Sequence, residues 1–290
     1  MVRTGAPDFK RIISRQLAEL SPAEVNRILD AGRVWNLAPT LQDGGTLIFP
    51  HAGIHVCGHQ IAAAVHACLD SGAGRVLVIG VLHALSDQLD DARRRVASGA
   101  DVTKEAAWGI QGPGLEGRQD WQGEFSLLNF LFLWDKELER RSIAGPDLVL
   151  RFPYLAGGRP EMLPGIGELQ VVARDAVVVT TTDPFHHGIA YGEPPEAALA
   201  PEHGGLDLAR RTIEEGLELL QAGDYWGYNQ HCVAAKSDGR DVGQLVRYLL
   251  GPLSGEILDL VADDMTIAYG KPAPSWVTGA LIELRPGAKS

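Results

Sequence analysis

The sequence predicts an α/β fold: a largely parallel central sheet flanked by helices. Thr46-Leu47-Ile48-Phe49-Pro50 and Arg75-Val76-Leu77-Val78-Ile79-Gly80-Val81-Leu82 are apolar runs of strand length. Between them, Gln60 to Leu69 carries Ile61, Ala62, Val65, Cys68 and Leu69 at helical spacing. Strand, helix and strand in that order make a right-handed crossover onto a parallel sheet. Both strands stop at an imidazole, His51 and His83, and a later apolar run, Ala176 to Thr180, leads into Asp183 and His186. Ligands of open α/β sheets collect beyond the carboxyl ends of the strands, so one rim of the sheet gathers these ionisable residues.

Taken in order, residues 1–43 read as an N-terminal extension on the outside of a single α/β domain that spans residues 44–290. The extension holds one helix, Pro22 to Gly32, with Ser21 as N-cap, Pro22 at the first helical position and Glu24 three residues after the cap. After His83, Ala84 to Asp120 is mixed in charge and partly irregular, which suits a lid beside a strand-end site. Arg93-Arg94-Arg95 within it reads as a solvated helix face. Glu124 to Arg140 places Phe125, Leu128, Phe132 and Leu133 near helical spacing as a core-facing helix. Leu148 to Phe152 is a further strand. Gly204 to Leu220 and Val242 to Leu250 are helices, the second starting just after Asp238. Met265 to Tyr269 and Trp276 to Leu284 read as a closing antiparallel pair. No internal repeat or low-complexity linker interrupts the chain.

Composition narrows the function. Of 290 residues, 45% are hydrophobic and 22% charged, as in a soluble globular protein with a sizeable core. A formal charge of -11 leaves no basic field to replace phosphate counterions, which argues against a nucleic-acid or anionic-membrane partner. Cys57, Cys68 and Cys232 are odd in number and lack CxxC spacing, so neither a disulfide framework nor a zinc knuckle is indicated. With no leader-like N-terminus and no membrane-length apolar run, the expected location is cytoplasmic.

Two imidazoles at one sheet rim suggest a metal site, completed by Asp183, Asp238 or His186; two histidines and a carboxylate with open positions are the pattern of non-haem Fe(II) oxygenases. A shared zinc site on His51, His55 and His59 is disfavoured, because Pro50 and Gly53 make that stretch a turn and no His-Glu-x-x-His is present. His55 is placed at the pocket mouth. His59, His66, His203 and His231 read as structural, and one of the adjacent His186 and His187 must point away from the site.

The ordered blocks Phe49-Pro50-His51-Ala52-Gly53, Gly80-Val81-Leu82-His83, Thr182-Asp183-Pro184-Phe185-His186-His187-Gly188, Asp238-Gly239-Arg240 and Thr278-Gly279-Ala280-Leu281 resemble those of the Memo family, over roughly residues 44–284. That family in turn resembles the class III extradiol ring-cleaving dioxygenases, the LigB-like group, which use non-haem Fe(II) and O₂. The resemblance implies that His51 and His83 are metal ligands, that Asp183 and His186 lie in the pocket, and that His186 is the acid/base. Asp238 falls where many Memo proteins have a cysteine and the dioxygenases a carboxylate ligand. Phe125-Ser126-Leu127-Leu128 stands where Memo proteins typically have His-Ser-x-Glu, so the pocket is expected to be more apolar.

The expected function is thus a non-haem Fe(II)-dependent oxygenase with metal ligands His51, His83 and Asp238, catalytic His186 and Asp183, and His55 in the substrate pocket. It acts on a small aromatic or phenolic molecule with O₂. A homo-oligomer stays open. The alternatives are a metal-dependent hydrolase, with zinc or iron on the same ligands, and a metal-binding or scaffolding protein without turnover.

Overall fold

A computed structural model describes residues 8–83 and 86–287. In order, the chain forms α1 (Phe9–Glu19), α2 (Pro22–Ala31), α3 (Ala38–Gln42), β1 (Thr46–Phe49), α4 (Ile54–Asp70), β2 (Arg75–Ile79), α5 (Asp87–Ala97), β3 (Gly109–Gln111), α6 (Leu128–Arg141) and β4 (Asp147–Tyr154). There follow α7 (Ile166–Arg174), β5 (Val177–Thr181), β6 (His186–Gly188), α8 (Gly205–Ala222), α9 (Tyr225–Ala234), α10 (Arg240–Leu250), β7 (Leu253–Asp264), α11 (Met265–Tyr269) and β8 (Ser275–Pro286).

The strands make one mixed sheet whose centre, β4-β2-β5-β1, is parallel throughout. β5 lies between β1 and β2, so the crossover through α4 spans a strand inserted later in the chain. β3 lies antiparallel on β4, and β8 antiparallel on β1. β7 runs along one edge of β8, and β6 continues the other edge beyond β1. The central strands read as unbroken apolar runs because both faces are covered. Leu47, Phe49, Val76, Val78 and Val179 face a core shared with α4 and α6, whereas Ile48, Leu77, Ile79 and Val178 face a second core with residues of α8, α9 and α10. No helix among the described residues is long and apolar enough to cross a membrane.

Several expectations are corrected. Met265–Tyr269 is a short helix, not a strand, because Asp264 Oδ1 accepts the Thr266 N–H at 2.8 Å and caps a turn. The partner of β8 is instead β7, whose acidic residues obscured its pattern. The helix expected from Glu124 begins at Leu128, which frees Glu124 and Phe125 for another role. Ala84 and Leu85, the start of the proposed lid, lie outside the described residues. Its next stretch forms α5, where Arg93 is not solvated: it bonds Asp241 and the Leu82 carbonyl, each at 3.1 Å, and lies over the Tyr154 ring. Arg94 and Arg95 do reach solvent, paired with Asp90 and Glu105.

Residues 8–43 are joined to the domain rather than laid on it. α2 starts with a full capping box between Ser21 and Glu24. Glu137 of α6, fully buried, is bound at 2.7 Å by Arg33, Arg140 and Arg141 and at 3.3 Å by His66, which draws the N-terminal segment, α4 and α6 together. Burial alone would raise its carboxyl, but the hydrogen bonds from Arg141 and Arg140 hold it below the ordinary 4.5. A depressed carboxyl contributes stability above its unfolded-state value and loses it as pH falls through the folded one. Glu137→Gln is therefore expected to cost about 2–4 kcal/mol in denaturant unfolding at neutral pH, the arginines' partial exposure keeping it at or below the usual range. The gap to wild type should shrink as the pH falls below 4.5. A gap that does not change with pH would contradict the ionic origin.

Candidate metal centre

The parallel order brings the ends of β1, β2 and β5 to one rim, and each delivers a side chain by a different local device. Beyond β1, the Phe49 carbonyl accepts the Thr182 N–H at 3.0 Å and the Thr181 hydroxyl at 2.8 Å. The hydroxyl proton of Thr181 is thereby committed, so Thr181 Oγ1, 3.1 Å from His51 Nδ1, acts as acceptor there. Nδ1 of His51 carries the proton and Nε2 is turned to the site. The His51 backbone N–H donates to Asp183 Oδ1 at 3.0 Å.

Beyond β2 the backbone passes close under Phe152, where a Cβ on Gly80 would lie 2.5 Å from the ring, so only glycine fits. Three residues later, the chain reaches His83. Its Nδ1 lies 2.8 Å from Glu124 Oε1, and its backbone N–H donates to Glu124 Oε2. Glu124, 5% exposed, also accepts the Phe125 N–H at 2.8 Å. A carboxylate behind Nδ1 fixes the ring and leaves Nε2 as the outward donor, the usual support of a metal-binding imidazole. Phe125 stacks on His83 at 4.4 Å and meets His51 edge-on at 6.0 Å, while Ser126 turns away to the Val81 carbonyl.

The third group comes from the turn before α10. Asp238 Oδ1 accepts the Thr182 hydroxyl at 2.6 Å and the Asp183 N–H at 2.9 Å. That leaves Oδ2 facing His51 Nε2 at 3.1 Å and His83 Nε2 at 3.4 Å. Ligand atoms of His51, His83 and Asp238 all lie within 4.8 Å of one another, and a second triad, Asp183, His186 and Asp238, meets the same limit. Asp183 Oδ2 stays 3.7 Å from His51 Nε2.

The charges are coupled. Burial opposes protonation of His83, but Glu124 and Asp238 outweigh it and push the imidazole up to about 10. His51 is raised in the same way by Asp183 and Asp238. Asp238 is held well below the usual carboxylate range: burial works against this, and the two imidazoles prevail. Burial raises Asp183 to about 6, with His51 opposing. His186 goes the other way, lowered to about 4 by burial with Asp238 opposing, and its buried Nδ1 has no hydrogen-bond partner. His187 faces away, as strand alternation requires: its Nε2 accepts the Leu199 N–H at 3.0 Å and its ring stacks on Phe185.

A cavity of about 210 Å³ opens over these groups, walled by Phe125, Tyr191 and Val277 and roofed by Phe9, Ile13 and Tyr269. The roof is a finding the sequence reading missed: α1 belongs to the extension, and Phe9 packs on Phe125 and Tyr269 at 5.4 and 5.6 Å. The spacing of Phe9, Ile13 and Leu17 was the available signal. His55 is exposed on α4 and does not line the cavity; a strand-to-helix turn at Gly53 points it outward, and Asp263 lines the cavity instead. His59 is held by Asp259 at 2.8 Å, so the three spaced histidines share no site. His66 and His231 bond backbone carbonyls at 2.7 Å. A larger hollow of about 400 Å³ near Trp108, Arg151 and Glu168 contains none of the site groups.

Two imidazoles with Nδ1 engaged and a carboxylate with Oδ1 engaged present three donors to one point, a set that suits Fe(II) or Zn(II). Glu124→Gln should weaken metal binding about 10–100-fold in chelator competition, because a neutral amide no longer supports the imidazole. Unchanged affinity would remove Glu124 from the site. Compared with protein-family models and with curated proteins, the chain matches none.

Proposed function

We propose that the chain is a non-haem Fe(II)-dependent oxygenase that uses O₂ on a small aromatic or phenolic substrate. The observation that carries this reading is the trio His51 Nε2, His83 Nε2 and Asp238 Oδ2 turned towards one another at the floor of a mainly apolar cavity. When bound there, Fe(II) supplies open coordination positions for substrate and O₂. His51, His83 and Asp238 hold it, and Glu124 and Thr181 fix the imidazole orientations. His186, neutral because burial lowers its pKa to about 4, is suited to take a proton from a substrate hydroxyl. Phe125, Phe9 and Ile13 exclude water and pack on a ring. Asp183 orients the β1 end by holding the His51 backbone.

Metal analysis of anaerobically purified protein, followed by O₂-uptake assays with catechols and aminophenols, tests this. Iron near one per chain with O₂ uptake supports the oxygenase. Zinc with ester or amide cleavage would replace it by the hydrolase, and substoichiometric metal without turnover by a scaffold.

The raised imidazoles add a pH prediction. In the metal-free protein the protonated His83 contributes stability that is complete below its unfolded-state value and lost as pH rises through about 10. A metal needs the deprotonated ring, so binding must expel that proton. Calorimetry at neutral pH in buffers of different ionisation enthalpy should show proton release and an apparent affinity that rises with pH. Binding without proton release would contradict the charge assignment.

A further inference from the structure

We infer that the cavity selects a cationic substrate, a phenol or diol bearing a protonated amine, and that Asp263 recognises the amine. The inference rests on the phenolic-substrate reading above, but its carboxylate and aromatic walls are independent of any metal.

The lining of the cavity includes Asp183, Asp238 and Asp263 but no lysine or arginine among the described residues. A carboxylate or phosphate on the substrate would therefore meet no fixed cation and face like charges. Asp238 is occupied with the two imidazoles and Asp183 with the His51 N–H. Asp263 is different: it is only 7% exposed, lies on β7, and has no lysine or arginine partner among the described residues. Its Oδ2 accepts the Gly53 N–H at 2.7 Å, at the start of α4. Its Oδ1 accepts no hydrogen bond from any described residue. The charged groups nearest in effect are its neighbour Asp264, which is repulsive, and His55, which is exposed. A desolvated carboxylate with a spare oxygen is a strong acceptor for an ammonium, because a buried charge without a partner is costly.

The remaining walls suit the same ligand. Phe9, Phe125 and Tyr269 form a contiguous aromatic group, and Tyr191 lies against His186 at 4.9 Å. Aromatic faces attract cations as well as packing on rings. The volume of about 210 Å³ is below the ~300–1,000 Å³ of sites for drug-sized ligands, which limits the substrate to one ring with a short amine-bearing chain. Asp263 also restrains the first turn of α4, and this structural role is served by Oδ2. Asp263→Asn keeps an acceptor for Gly53 and removes the charge, so it separates the two roles.

The test is anaerobic calorimetry on the full-length Fe(II)-loaded protein with three catechols of similar shape: dopamine, 4-ethylcatechol and 3-(3,4-dihydroxyphenyl)propionate. Dopamine is expected to bind about tenfold more tightly than 4-ethylcatechol, with the propionate weakest. Asp263→Asn should erase the advantage of dopamine and leave 4-ethylcatechol within about threefold of its wild-type affinity. Equal affinities, a preference for the propionate, or an advantage that survives Asp263→Asn would overturn the inference. The metal-free full-length protein is tested in parallel with phenethylamine and 2-phenylethanol. If the catechols fail to bind but phenethylamine still outcompetes 2-phenylethanol in an Asp263-dependent manner, amine recognition stands and the metal-diol reading falls. If neither series shows a cation preference, the inference itself falls.

Discussion

Alanine at His51 or His83 is expected to weaken Fe(II) or Zn(II) binding by about 10²–10³-fold, since ~10–16 kcal/mol shared among the four ligands of a structural zinc site is ~2.5–4 kcal/mol for each. The fold should survive. Both residues sit beyond the strand ends, and the cores are built from Leu47, Phe49, Val76, Val78 and their neighbours rather than from the rim. Metal content measured after gel filtration, together with circular dichroism, checks both halves. Wild-type metal in both variants would remove these residues as ligands. Loss of the folded state would show that metal binding is coupled to folding.

His186→Ala is expected to keep the metal and lose ~10²–10⁴-fold in kcat once a substrate is known, the range for removal of a positioned acid/base. The distinction from His51 and His83 is geometric. Its Nδ1 is buried without a partner, whereas their Nε2 atoms face Asp238 Oδ2. The limb of the pH–rate profile that reports the free base should flatten, since burial lowers His186 to about 4 and makes the neutral ring the resting form. Burial outweighs the nearby Asp238 carboxylate and makes His186 a neutral base. If His186→Ala loses its metal instead, the second triad with Asp183 and Asp238 holds the ion. An unchanged kcat would leave the acid/base role without support.

The parts of this molecule that could be read from its sequence are those set by local pattern. β1, β2 and β5 are short unbroken apolar runs because both faces of the sheet are covered, and helices announce themselves by spacing, as with Ile61, Val65 and Cys68. The strand-end positions of His51 and His83 followed from the same pattern. What stayed hidden depends on contacts between distant residues. Glu124 reaches His83 across 41 positions and Asp263 reaches Gly53 across 210, and nothing in the flanking residues of either carboxylate marks that contact. β7 was overlooked because a half-buried edge strand mixes Asp259, Asp263 and Asp264 with its apolar residues. Met265–Tyr269 resembled a strand until Asp264 was seen to cap it as a helical turn. Phe125 looked like a core residue of a helix, yet that helix starts three residues later and leaves its ring on His83.

The most direct test is anomalous diffraction at the iron edge from crystals of the protein loaded anaerobically with Fe(II). The account predicts a single strong peak about 2.0–2.3 Å from His51 Nε2, His83 Nε2 and Asp238 Oδ2, with both Nδ1 atoms still bound to Thr181 and Glu124. A peak bound by Asp183 and His186 in place of the two Nε2 atoms, or none at this rim, would contradict it.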